Sequence, residues 1–230
     1  LIKPYADRPD STGGSPFTEQ QWHQLVGEVD AAGFDVHIHA CGERTARTAL
    51  DSIEHAIAAN PPRDRRHTVA HLVYVEDPDS QRFGELDVIA QFSANWLSAD
   101  PSTLQNMAAR YGPPRQELFY RPQDVLKAGG RVSLGTDWPA AGYFSTYRPL
   151  DSIQIGVTRQ LINDPRGACA AVLAPADQRL SVEQAVYANT LGAAYQIRLD
   201  ELVGSVEVGK LADLIVLDKN IFEIDPHDIH

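Results

Sequence analysis

Cysteine is scarce: Cys41 and Cys169 are the two in the chain, too few for a disulfide framework. In a protein of this size they read as free thiols, which suits a reducing compartment and points to the cytoplasm. Long apolar runs are also missing. The longest lies around 168–176 (ACAAVLAPA) and falls far short of the roughly 18 residues that span a bilayer, so no membrane partner is expected. Basic clusters are absent. Twenty Lys and Arg stand against 31 Asp and Glu, a formal net charge of −11, with no stripe to track phosphates, and nucleic acid is excluded as a partner. No strand-like run is followed by G-x-G-x-x-G or a P-loop, which removes a nucleotide-binding α/β domain. Internal repeats and low-complexity tracts are not found. The opening LIKPYADRPDSTGGSPF has neither a starting Met nor a signal-peptide pattern and reads as the middle of something longer.

What is present is an alternation of short apolar runs and helical periodicity. Residues 4–16 are loop-like, rich in Pro, Gly, Asp and Ser. A helix is predicted from Thr18, with Gln21 in capping-box position and Trp22, Leu25, Val26 and Val29 at helical spacing, ending near Gly33. FDVHIHA (34–40) reads as a strand, and the following helix is stopped by Asn60-Pro61-Pro62. HTVAHLVYV (67–75) is a second strand, with Asp77-Pro78 as N-cap and first turn of a short helix. DVIAQFS (87–93) is a third, followed by helical pieces near 101–110 and 121–128, and GRVSLGTD (130–137) is a fourth. Helices are then predicted near 149–162 and from Ser181, with Gln184 in capping-box position. This order of elements describes parallel βα units, and the near-continuous apolar strands fit a sheet covered on both faces. From 199 the character changes. Short β-like runs split by Gly204 and Gly209 suggest a hairpin-rich β module over 202–218.

Three residues, His39, His71 and Asp137, fall at the C-terminal ends of predicted strands. In a (βα)8 barrel that end is the active-site face. The interval from His39 to His71 is that of one βα unit, and from His71 to Asp137 that of two, at roughly 30 residues a unit. Two imidazoles and a carboxylate suit a divalent metal, zinc foremost. The carboxylate can also take the proton of a water that the metal has acidified. Singly, a strand-end His is more often a hydrogen-bonded core residue and an Asp in a G-T-D-W-P turn a helix cap. Three such residues at matched strand ends reverse that reading.

HACGER after one strand, RHTVAH on the next, LGTDWPA on the last, LSVEQAVYANTLGAAYQI and GSVEVGKLADLIVLD together resemble the amidohydrolase superfamily, in its amidohydrolase-3 branch. The resemblance runs from about residue 1 to 223. It implies an α/β fold: the C-terminal half of a TIM-type (βα)8 barrel of the metal-dependent hydrolase kind over 1–198, leading over 199–230 into part of a small β-sandwich. His39, His71 and Asp137 match the family's strand-5 His, strand-6 His and strand-8 Asp, so all three are implied metal ligands and Asp137 also the catalytic proton shuttle. His37 imitates the first His of a strand-1 His-x-His pair. The interval from His39 to Asp137 holds three βα units rather than seven, so His37 is a decoy, expected one layer deeper in the barrel.

Around these, Trp96, Trp138, Cys41 and Glu43 are candidate substrate-binding residues. Each has a plainer reading: aromatic packing under loops for Trp96 and Trp138, a buried inert thiol for Cys41, and a helix-N-terminal carboxylate for Glu43. Glu43 also stands where the family usually has Asp in H-A-x-G-D. His23, His55 and His67 read as surface or structural, and His227 and His230 carry no site signal. No strand-1 ligand pair and no strand-4 bridging ligand accompany the three matched residues, so weak metal binding and little activity are expected of this chain alone. The function implied is a metal-dependent hydrolase acting on a carbon–nitrogen bond, other than a peptide bond, of a small molecule. The alternative is a non-catalytic or degenerate homologue kept as a scaffold or ligand-binding protein. Exposed outer strands are prone to pairing, so self-association, or association with the missing N-terminal half, is expected.

Overall fold

The computed structural model describes residues 1–140, 146–162 and 171–230. Four strands, β1 (His37–Ala40), β2 (Thr68–His71), β3 (Ile89–Ser93) and β4 (Arg131–Gly135), form one parallel sheet in that order. Helix α1 (Glu19–Ala31) precedes β1, α2 (Glu43–Ala59) connects β1 to β2, and α3 (Asp77–Glu85) connects β2 to β3. The β3–β4 connection holds a 3-10 turn (Ala94–Leu97), a π-helical stretch (Ser102–Met107), α4 (Ala108–Tyr111) and α5 (Pro122–Lys127). Beyond β4 come α6 (Pro149–Thr158), α7 (Val182–Asn189) and α8 (Leu191–Gln196). Sequential parallel pairing with helical crossovers is the pattern of a barrel wall.

Register explains which strand residues meet helices. Ile38 pairs with Val69, Val69 with Ala90, Ala90 with Val132, and Phe92 with Leu134, and all of them are buried. They pack in one core with Leu50 and Ile53 of α2, Phe83 of α3 and Ile155 of α6. Each such side chain removed from water contributes roughly 1.5–3 kcal/mol. The opposite face carries the row His39, Ala70, Gln91 and Ser133, joined by the same register. In β1 burial alternates strictly, with His37 and His39 exposed and Ile38 and Ala40 buried. The expectation of a sheet covered on both faces therefore fails at β1, where the inner face is polar and open.

Both predicted capping boxes are present: Thr18 Oγ1 accepts from Gln21 N–H, and Ser181 Oγ from Gln184 N–H. Several boundaries differ from expectation: β1, β3 and β4 are shorter than the runs 34–40, 87–93 and 130–137, and three further differences have a local cause. The second strand stops at His71 because His71 and Leu72 have left-handed backbone. The cap of α3 is Glu76, one residue before Asp77. Helix α6 ends at Thr158 because Arg159 adopts φ 55°, and its buried guanidinium donates to the carbonyls of Phe119, Tyr120, Leu173 and Ala174. The predicted β-like runs of 202–218 form no strand. Their alternation is real, but a strand exists only through a ladder partner, and Val206, Val208, Ile215 and Val216 stand almost fully in solvent. The chain then returns to the core, with Ile229 buried and the His230 Nδ1 2.7 Å from Gln154 Oε1 on α6. Cys169 lies outside the described residues.

At the N-terminal end of the strands, Asp30 is buried among cations. Arg63 and Arg65 donate to its carboxylate, Asn60 adds a third donor, and the His67 Nε2 lies 3.2 Å away. Burial alone would raise the Asp30 pKa, but Arg65, Asn60 and Arg63 together hold it well below the usual carboxylate range. This cluster ties α1 to the entrance of β2, and His67 fixes β1 by accepting the Val36 N–H through Nδ1 at 3.1 Å. Removing one partner of a buried pair leaves the other uncompensated, so Asp30→Ala should lose about 3–5 kcal/mol in denaturant unfolding. A depressed folded pKa contributes stability above the unfolded value of about 3.9 and loses it as pH falls, so the gap between wild type and Asp30→Asn should narrow below about pH 4. A gap independent of pH there would contradict the buried ion pair.

Candidate metal and catalytic site

His39 sits in the third position of β1, on the open inner face, in register with Ala70. Strand alternation would send the next residue of β2, His71, to the helix side. It goes the other way because His71 and Leu72 adopt φ 73° and 52°, which L-residues rarely do. The result is that Leu72 is buried in the core while the His71 ring lies 4.4 Å, centroid to centroid, from that of His39. Holding two non-glycine residues in this region costs on the order of 1–3 kcal/mol each, and such strain persists at sites where position matters. Burial, and then the neighbouring His39, lower the His71 pKa, so its ring is neutral near pH 7.

Asp137 lies two residues beyond β4, also with left-handed backbone at φ 56°. Its Oδ2 is 4.0 Å from His71 Nδ1. The end of β3 supplies no predicted ligand but surrounds both residues. Ser93 Oγ lies 3.3 Å from His71 Nδ1, the Trp96 indole N–H donates to Asp137 Oδ2 at 2.9 Å, and Asn95 donates to the carbonyls of Thr136 and Thr146. Gln91 lies in the same inner row as His39 and pairs with Ser133, and a Cβ on Gly135, two residues further along β4, would meet the Gln91 amide Nε2 at 2.7 Å and displace it. Ser93 and Asn95 were not legible as site residues, because single polar residues ending an apolar strand carry no spacing signal.

His39, His71 and Asp137 are thus neighbours in a chain, His39 beside His71 and His71 beside Asp137. Among the described residues no group of three or more His, Cys, Asp or Glu is arranged to hold one ion together. The donor set is nevertheless of the right chemistry for a divalent metal, and the strained backbone that brings His71 to His39 is the observation that speaks for it. His37 is one layer deeper, with the Gln196 amide 3.4 Å from its Nδ1. Cys41 Sγ is 3.8 Å from His39 Nε2, and burial followed by Asp137 pushes its thiol up to about 11, so it remains protonated. Glu43 is buried in the first turn of α2, where Oε1 accepts the Ile2 N–H at 3.0 Å. That places it under the N-terminal segment. Trp138 is 57% exposed and packs edge-on against Tyr147. His23 and His55 stack between α1 and α2, away from the sheet's inner face.

A parallel sheet with sequential helical crossovers, carrying two His and one Asp at or near the C-terminal ends of its strands, is the architecture of part of a TIM-type barrel, and the comparisons agree. The whole chain, residues 1–230, matches the amidohydrolase family, in its amidohydrolase-3 branch, and the protein belongs to it. It is 30% identical over 226 residues to Protein LONG AFTER FAR-RED 3 of Arabidopsis thaliana, covering 98% of this chain and 36% of that protein. It is 26% identical over 212 residues to N-substituted formamide deformylase of Arthrobacter pascens, covering 90% and 36%. Among solved structures, an uncharacterized metal-dependent hydrolase from Pyrococcus furiosus superposes with a TM-score of 0.74 at 24% identity, covering 96% of this chain and 41% of that one. A second, from Pyrococcus horikoshii, gives 0.77 at 23%, covering 99% and 43%. The chain spans about two fifths of the length of these relatives. The fold is that of part of an amidohydrolase barrel.

Left-handed backbone at position 71 makes a direct prediction. Glycine accepts φ 73° and alanine does not, so His71→Gly should be more stable than His71→Ala by about 1 kcal/mol, against the usual order of the two residues. The midpoints of chemical unfolding measure this. Alanine as the more stable variant would show that the backbone at 71 is not left-handed.

Proposed function

We propose that this chain carries part of the active site of a metal-dependent amidohydrolase that cleaves a carbon–nitrogen bond of a small molecule with water. The observation that carries the reading is the strained turn that sets the His71 ring against His39, within reach of Asp137. His39 and His71 would hold a divalent ion, zinc being the one that fits two imidazoles and a carboxylate best, with Asp137 as a third ligand. Such an ion, when bound, acidifies water and polarises a carbonyl. Asp137 accepts the proton of the attacking water and delivers it to the leaving nitrogen, the transfer that turns a poor amine leaving group into a good one. Trp138, exposed beside Tyr147, borders the approach to Asp137 and offers an aromatic wall to the substrate. N-substituted formamide deformylase among the relatives supports small amides as the first substrates to try. Solved prolidases share the fold at a TM-score of 0.60 and 18% identity, so Xaa-Pro dipeptides belong in the same screen.

A second reading, a homologue that keeps the fold as a scaffold or binding protein, is favoured by one observation: among the described residues the three site side chains do not gather around one point. Asp137→Asn separates the two. In the longest form the gene encodes, this variant keeps the proton-shuttle geometry but not its basicity, and turnover should fall by about 10²–10⁴ with the circular dichroism unchanged. Turnover retained in Asp137→Asn would sink the mechanism.

A further inference from the structure

We propose that Trp96 is a positioning residue for Asp137, fixing which carboxylate oxygen exchanges the proton; the inference rests on the hydrolase reading above. Its basis is the turn that follows β3. Ala94, Asn95 and Leu97 are wholly buried, so the backbone carrying Trp96 is set by packing. Asn95 Nδ2 donates to the carbonyl of Thr136, the residue before Asp137, at 2.5 Å and to that of Thr146 at 3.2 Å. One turn thus holds the backbone ahead of Asp137 through Asn95 and the side chain of Asp137 through Trp96, whose Nε1–H donates to Oδ2 at 2.9 Å.

The chemistry of the donor decides the rest. An indole N–H can only donate, so its bond to Oδ2 occupies one acceptor site of that oxygen, is strongest to the charged carboxylate and weakens if Oδ2 is protonated. The bond thus favours Oδ1 as the oxygen that takes up and releases the proton, and it fixes the direction in which Oδ1 faces. Asp137 also has left-handed backbone, which gives its side chain no help from strand geometry and makes a side-chain tether useful. The role differs from aromatic contact with substrate, because it uses the indole nitrogen rather than the ring face.

The test uses the longest form the gene encodes. Trp96→Phe keeps the ring and removes the donor. The expected result is a roughly 10–100-fold lower kcat with KM within about twofold and bound metal unchanged. A purely structural role would lower thermal stability and leave kcat alone, and a substrate-wall role would move KM; either result overturns the proposal. A second measurement needs no turnover. The 1H–15N resonance of the Trp96 indole, assigned by its loss in Trp96→Phe or Trp96→Tyr, should move upfield and exchange faster with solvent in Asp137→Ala. An indole resonance that ignores Asp137→Ala overturns the contact itself. If the wild type turns over no amide or dipeptide, the hydrolase reading fails on its own, and the resonance alone then decides the Trp96–Asp137 bond.

Discussion

The arrangement depends on two peptide units at the end of β2. A regular strand would carry His71 into the helix layer and Leu72 to the open face; left-handed backbone at both residues exchanges them, giving the core its leucine and the inner face its imidazole. No favourable local interaction of L-residues produces this conformation. It is held by the packing of Leu72 and Val73 below it and by the ladder of β1 and β3 on either side. The core, in other words, supplies the energy that the site consumes. Asp137 repeats the device beyond β4, and the end of β3 lies between the two, touching both through Ser93 and Trp96.

The two ends of the sheet do different work. The N-terminal end is bound by a dense ionic cluster in which Asp30, Asp35, Arg63, Arg65, Arg66 and Arg198 lock α1, β1, β2 and the segment after α8 together. The C-terminal end has two of its principal side chains, His71 and Asp137, on left-handed backbone. Barrel enzymes divide stability and chemistry between their two faces in this way, so that loops on one side can vary without loosening the other.

Much of this was legible in the sequence. Strand-sized apolar runs, helical spacing and S/T-x-x-Q caps placed all four strands and most helices, because those signals are local and the core uses them locally. The spacing of His39, His71 and Asp137 puts them near strand ends, and the structure sets the His71 ring beside His39 and near Asp137, with His37 earlier on the same strand. What escaped notice depends on tertiary context. The φ of His71 cannot be read from A-H-L-V, which alternates like any strand. Arg159 looks like a surface cation, yet four carbonyls from two loops bury it. Residues 202–218 alternate like strands but form no ladder among the described residues beyond the Leu211 N–H bond to the Leu202 carbonyl, since pairing is a property of two segments and not of one.

Whether His39 and His71 hold a metal is the central claim, and metal content after dialysis, by plasma mass spectrometry on the longest form the gene encodes, tests it most directly. The account predicts near-stoichiometric divalent metal, zinc first, that is lost in His39→Ala and in His71→Ala alike. Metal that survives both substitutions, or none in the wild type, would contradict it.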